Sequence, residues 1–390
     1  MTADPFGLDA VTVDSARARR GVKWSGVEGR LAAWVADMDF PIAPAIRDRL
    51  VEVVGNDVGY ARWPGIGRSF LPAMFAERMA DRFGWTPELD HLVELADVMQ
   101  GVQLALHHLS EPGDGVIVHM PIYHPFLNSI ASMERRLVEV PAQRTDAGWA
   151  FDYDELDHRL GAEPACVLLL CHPHNPIGHV FARPELERLA EIVERHDLVV
   201  ISDEIHAELV HADHGHVPFA ALSDEMASRT ITVTSSSKAF NLAGLRWAIL
   251  HAGVARFREA LGALPNHYFG APNVLAVEAT GAAWRDGDGW QRAVAARLDA
   301  NRRLLAQLLE EHLPGVDYVP PDATYLAWLD LRPLGWDGDV HDELRARGVE
   351  LSPGAQFGTQ GEGFARLNFA TGPTVLEAVV QAMATPPASR

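Results

Sequence analysis

Short apolar runs and helical spacings alternate through the middle of the chain. "GVIVH" (115–119), "ACVLLLC" (165–171), "LVVIS" (198–202), "TITVTS" (230–235) and "AIL" (248–250) are brief and apolar without alternation. That is the pattern of strands buried on both faces. Between them, Pro184 to Arg195 sets Leu186, Leu189, Ile192 and Val193 at helical spacing. Strand and helix in turn predict an α/β fold, a mostly parallel sheet flanked by helices. After about residue 287 the rhythm changes. A long helical stretch (Gly289 to Leu313), "TYLAWLDL" (324–331), a helix near 339–347 and "FARLNFA" (364–370) predict a smaller α+β unit. The opening segment carries no strong period. The expected division is 1–42 packing on the small unit, 43–285 as the large domain and 286–390 as the small domain.

Ligands of such sheets bind beyond the carboxyl ends of the strands. Polar clusters follow four of these strands: "MPIYHPF" (120–126), "CHPHNPIG" (171–178), "SDEIHAEL" (202–209) and "SSSKAFNLAGLR" (235–246). Their common position predicts one shared site.

The bulk numbers narrow the function. A chain of 390 residues, 48% hydrophobic and 22% charged, is a folded protein long enough for two cores. A net charge of −20 argues against nucleic acid as the main partner, and an anionic cofactor would need a local pocket of amides or arginines. No apolar run reaches the ~20 residues that span a bilayer, and no charged-then-apolar leader opens the chain. Cys166 and Cys171, on opposite faces of one strand and ~16 Å apart, would lie beyond disulfide reach. The expectation is a cytoplasmic protein with reduced thiols and no membrane contact.

The chain has two lysines, Lys23 and Lys238, so 31 of its 33 basic residues are arginine. Lys238 therefore reads as a place where guanidinium does not serve, because chemistry needs an amine that can lose its proton and attack a carbonyl. Lys23, in the charged "ARARRGVKW", reads as a solvated leftover. Asp203 follows "LVVIS", where a carboxylate can face a ligand or cap a helix. Ser235, Ser237 and Arg246 offer hydroxyls and a guanidinium to a phosphate. "QGVQLALHHL" (100–109) reads as a helix beginning at its glycine, with the amides of Gly101, Val102 and Gln103 aimed at an anion. Arg366 can fork onto a carboxylate or form a rim salt bridge. His206, His211, His214 and His216 lack zinc-motif spacing and read as a solvated loop, so no metal is expected.

Taken in order, "NPIG", "SDE", "SSSK" and "GLR" resemble the fold-type I pyridoxal-phosphate (PLP) enzymes, the aspartate aminotransferase superfamily. "WVADMDFP" (34–41), "YHPF", "PHNPIG", "SDEIH", "KAFNLAGL" and "RLNFA" are similar to the MalY/PatB group of cystathionine β-lyases, from about residue 34 to 380. The resemblance implies PLP bound at Lys238, which then removes the substrate α-proton, with Asp203 on the pyridine nitrogen. Asn175 and His206 would stand near the phenolic oxygen, and Tyr123 against the ring face. The phosphate would meet Ser235, Ser237, Arg246, the Gly101–Gln103 amides and Tyr60 of a partner subunit, implying a homodimer with shared sites. Arg366 would clamp the substrate carboxylate, and Trp34, Asp37, Tyr123 and Tyr325 would line the side-chain pocket. The implied reaction cleaves a small sulfur amino acid to a thiol, pyruvate and ammonia. His206 stands where the superfamily's aminotransferases usually carry tyrosine, which points to the lyases; Arg246 is the aminotransferase-like letter. The alternatives are a class I/II aminotransferase and a regulatory protein of PLP fold acting by protein contact.

Overall fold

The computed structural model describes residues 4–61, 69–265 and 268–387. An eight-stranded sheet runs Leu92–Leu95, Ala248–Ala252, Thr230–Thr234, Val199–Asp203, Val167–Cys171, Gly115–Met120, Arg136–Thr145, Gly148–Phe151. The five strands from Thr230–Thr234 to Arg136–Thr145 are mutually parallel, as the buried apolar runs require. The "AIL" run is instead antiparallel to its neighbour Thr230–Thr234. The link between those two strands holds only two short helical turns, so the chain turns back at the same end of the sheet instead of crossing over. The expectation missed Leu92–Leu95, Arg136–Thr145 and Gly148–Phe151. These lie at or near the sheet edges, and their mixed polar sequences ("RLVEVPAQRT") lack the buried-strand pattern.

Helices cover both faces. Val98–Leu109 packs over Val167, Leu169, Ile201 and Val233, while Arg183–Arg195 packs over Leu168, Leu170 and Val200. The latter helix buries Leu186, Leu189, Ile192 and Val193, the stripe its spacing predicts. Cys166 precedes the strand and packs beside the same core as Cys171, so the two do not take opposite faces; both thiols are free.

The second unit opens with the Asp288–His312 helix and carries an antiparallel sheet ordered Asp317–Tyr318, Leu326–Asp330, Phe364–Asn368, Ser352–Pro353. The N-terminal segment joins it. Leu31–Ala32 pairs in parallel with Val349–Glu350, and Leu8, Val11, Trp24 and Val27 share its core.

Several histidines lie within the fold. His119, His172, His174, His206 and His211 are buried, and burial is the main cause that holds each below the ordinary histidine value. The folded values are about 3 for His174 and His206 and about 4 for His211. In the unfolded chain these groups take protons near pH 6.5. The folded state is thus fully favoured above that pH and loses stability as pH falls from about 6.5 toward the folded values. A urea midpoint that drops steeply between pH 7 and pH 5 is expected. His119, ringed by Phe151, Tyr153 and Phe181, has both ring nitrogens unpartnered. His119→Phe should flatten that drop.

Candidate active site

The parallel register brings the strand ends level: Cys171 lies opposite Asp203, and Asp203 opposite Val233. The chain leaves each of these strands into the same space, a cavity of about 560 Å³. Lys238, Asp203, Asn175, Tyr123, His206, Ser235, Ser237, Arg246, Trp34 and Arg366 all line it. Ten of the residues singled out in the sequence, from six separate segments, therefore converge.

Lys238 sits in the short Ser236–Ala239 helix, which Ser235 caps by accepting the Ser237 amide. Its amine donates to the Ala36 carbonyl at 2.9 Å. Burial lowers it to about 8; Asp37 opposes the shift, Arg366 adds to it and Asp203 opposes it. Its residual exposure faces the cavity, so the amine is both accessible and poorly solvated. Asp203 is pushed up to about 7 by burial, against the Ile205 amide at 3.0 Å. Glu204 raises it further and Lys238 lowers it.

Arg366 stands on the Phe364–Asn368 strand, flanked by Trp328 and Ser352. It donates to the Asn175 Oδ1 (3.1 Å), the Trp34 carbonyl (3.0 Å) and the Ser352 Oγ (3.2 Å), with Phe357 against its guanidinium. Its Nε is buried with no partner. Burial lowers it to about 10. His206 Nδ1 is likewise buried without a partner, and the ring is neutral. Burial raises the Tyr123 hydroxyl and keeps it protonated.

The structure sets several of the predicted site residues in surroundings that the sequence did not indicate. Gly101, Val102 and Gln103 do not line the cavity. The helix begins a turn earlier, at Val98 with Asp97 as cap, because Asp97 accepts the Gln100 amide; its first turn brings Val98 and Met99 to the cavity wall. Gly101 faces the sheet instead, where a Cβ would meet Val233 Cγ1 at 2.8 Å. The Ser235 hydroxyl donates to the Trp247 carbonyl at 2.6 Å, which commits its proton to the turn. Arg246 is ion-paired with Asp97. Asp37 and Tyr325 stand behind the wall; the Tyr325 hydroxyl donates to the same Ala36 carbonyl at 2.8 Å. Tyr60 is 89% exposed and lies outside this cavity.

The histidine loop is solvated only at its tip, where Ala212 to Gly215, His214 among them, are exposed. His206, His211 and His216 are buried, since a turn at Ala207–Leu209 and a bridge from Val210 to Ala323 draw the segment under the second unit. Lys23 is buried too, ion-paired with Asp39 at 2.8 Å. Sequence reading also passed over His124, Gln356 and Ser352, which line the cavity, and the cluster Glu88, His91 and His251, which does not. Only side chains brought in by distant segments reveal these.

This disposition of amine, carboxylate, guanidinium and helix start at the strand ends is that of an enzyme site able to hold a cofactor. A family model, aminotransferase class I and II, matches residues 66–383. A putative cystathionine beta-lyase of Mycobacterium leprae is 36% identical over 96% of both chains. Cystathionine beta-lyase PatB of Bacillus subtilis is 33% identical over 90% of this chain and 92% of its own. The crystal structure of a putative PLP-dependent beta-cystathionase from Corynebacterium diphtheriae superposes with a TM-score of 0.88 at 32% identity, covering 96% of this chain and 97% of that one. The chain belongs to the aminotransferase class I and II family.

The packing of Gly101 makes a test of its role. Gly101→Ala forces a methyl against a β-branched side chain and should cost about 1–3 kcal/mol of stability, seen as a lower urea midpoint. The affinity for an anion at the helix start should stay unchanged in phosphate titrations.

Proposed function

We propose that this chain is a PLP-dependent carbon–sulfur β-lyase, cleaving cystathionine or a related cysteine S-conjugate to a thiol, pyruvate and ammonia. The observation that carries the reading is the meeting of Lys238, Asp203 and Arg366 in one cavity at the strand ends. The relatives named as cystathionine β-lyases, and His206 at the cavity wall, support the lyase over its aminotransferase kin.

The residues fit the cofactor: a reactive amine, a buried carboxylate with no cation hydrogen-bonded to it, and partnerless nitrogens on His206 and Arg366. When bound, PLP supplies an electron sink for the charge left at the substrate α-carbon. Lys238 would hold the cofactor aldehyde and would serve as the base for the substrate α-proton, a role that suits an amine lowered to about 8. Asp203 keeps the ring nitrogen protonated. Asn175 and neutral His206 hold the phenolic oxygen. Ser237, Arg246 and the first turn of the Val98–Leu109 helix take the phosphate. Arg366, whose Nε has no partner, would bind the substrate carboxylate and so orient the α-proton toward Lys238. The Cβ–S electron pair leaves with sulfur, and Tyr123 gives the departing thiolate its proton.

The proposal extends to a homodimer in which Tyr60 reaches the partner's phosphate. Tyr60, Val51, Val54 and Val58 are all strongly exposed within one stretch of chain, which supports an interface there. We also propose a cytoplasmic location and the division at 42/43 and 285/286. The two free thiols support the former, and among the described residues no helix is long and apolar enough to cross a membrane.

The test is direct. The chain mixed with L-cystathionine and no keto acid should release pyruvate and thiol in equal amounts over many turnovers. Conversion of an added keto acid to its amino acid, with neither product released, would instead make it an aminotransferase, the reading that Arg246 and the family's breadth favour. Lys238→Ala should erase the visible cofactor band and lower turnover by about 10³-fold. Arg366→Ala should raise KM roughly thirtyfold, about 2 kcal/mol, with a smaller effect on kcat. Unchanged kinetics in either variant would remove that residue from the scheme.

A further inference from the structure

The segment from Trp34 to Asp39 runs through the site as a strap, and five consecutive carbonyls on it accept hydrogen bonds from side chains. Trp34 O accepts from Arg366 (3.0 Å) and Ser352 (2.8 Å). Val35 O accepts from Asn368 (2.6 Å), and Ala36 O from Lys238 (2.9 Å) and Tyr325 (2.8 Å). Asp37 O accepts from Asn368 (2.6 Å) and Lys23 (3.1 Å). Met38 O accepts from Asn241 (3.0 Å), which takes the Met38 amide in return (2.9 Å). The strap thus connects the cofactor-lysine loop to the carboxylate clamp.

Lys23 and its neighbour hold both ends of this strap. The Lys23 carbonyl accepts from the Trp34 indole at 2.9 Å. The Lys23 amine reaches Asp37 O and pairs with the Asp39 carboxylate, whose other oxygen takes the Trp24 indole at 2.8 Å. Lys23 and Asp39 are 3% and 1% exposed, so neither charge is solvated. A point-like ammonium fits this closed space where a planar guanidinium would demand more room and more acceptors. In a chain whose other positive side chains are all arginine, both lysines donate to carbonyls of this strap.

We propose that Lys23 is a positioning residue for catalysis: it sets the strap whose carbonyls aim Lys238 and Arg366. The inference rests on the reading of Lys238 as the cofactor amine. The charged groups facing that amine are Asp37 from the strap, Asp203 from the central strand and Arg366 from the small sheet, with His206 neutral nearby. A strap that shifts moves Asp37 and Arg366 relative to Lys238, and so alters the field at its nitrogen.

Two holoenzyme variants test this. Lys23→Met leaves Asp39 charged and alone; Lys23→Met with Asp39→Asn removes both charges and keeps an acceptor for the Trp24 indole. In whichever folds, as judged by circular dichroism, the pH midpoint of the visible cofactor band should move by about half a unit or more. Its kcat/KM should fall about tenfold, mostly through KM. A band midpoint and KM equal to wild type, with only Tm lowered, would overturn the proposal. Failure of both variants to fold would overturn it equally, since Lys23 would then hold the fold and not the site. The band is read without substrate. An absence of thiol release by the wild-type chain would therefore sink the lyase reading while leaving this test intact.

Discussion

An amine at neutral pH is a base only where its charge is made costly, and the cavity does this by withholding water. Lys238, Asp203 and Arg366 are each shifted toward neutrality, with burial as the leading cause in all three. For Lys238 and Asp203 opposite charges nearby limit the shift, so these two stay within reach of ordinary pH. The architecture serves this condition. Parallel strands cannot be closed off by hairpins, so their ends open onto loops, and two units must meet over those loops to keep solvent out.

Much of this could be read from the chain. The central strands, the amphipathic Arg183–Arg195 helix and the α+β unit follow from periodicity alone, because fully buried strands leave an unmistakable apolar run. The edge strands did not show, since one solvated side dilutes that run. Within the site, residues whose chemistry is scarce or costly were legible: a lone lysine after a strand, a carboxylate at a strand end, an arginine in an apolar strand.

The misreadings share a cause. Lys23, His211 and His216 look solvated because their sequence neighbours are polar, but tertiary contacts bury them, while His214 between the two histidines is exposed as expected. Gly101 looked like a helix start because glycine often is one; Asp97 outcompetes it by accepting a backbone amide. Sequence reports what a side chain can do, and it loses track where the decisive partner is backbone, as with the Ala36 carbonyl under Lys238.

The strap has a consequence in time. It precedes its partners Tyr325, Ser352, Arg366 and Asn368 in the sequence by up to 333 positions. Contacts so distant in sequence carry a heavy loop-closure entropy and form late in folding. The parallel sheet can assemble first, whereas the cavity closes only when these distant segments meet. A chain still short of these late segments therefore has Lys238 in place but not Arg366, and the cavity that joins them is completed late in folding.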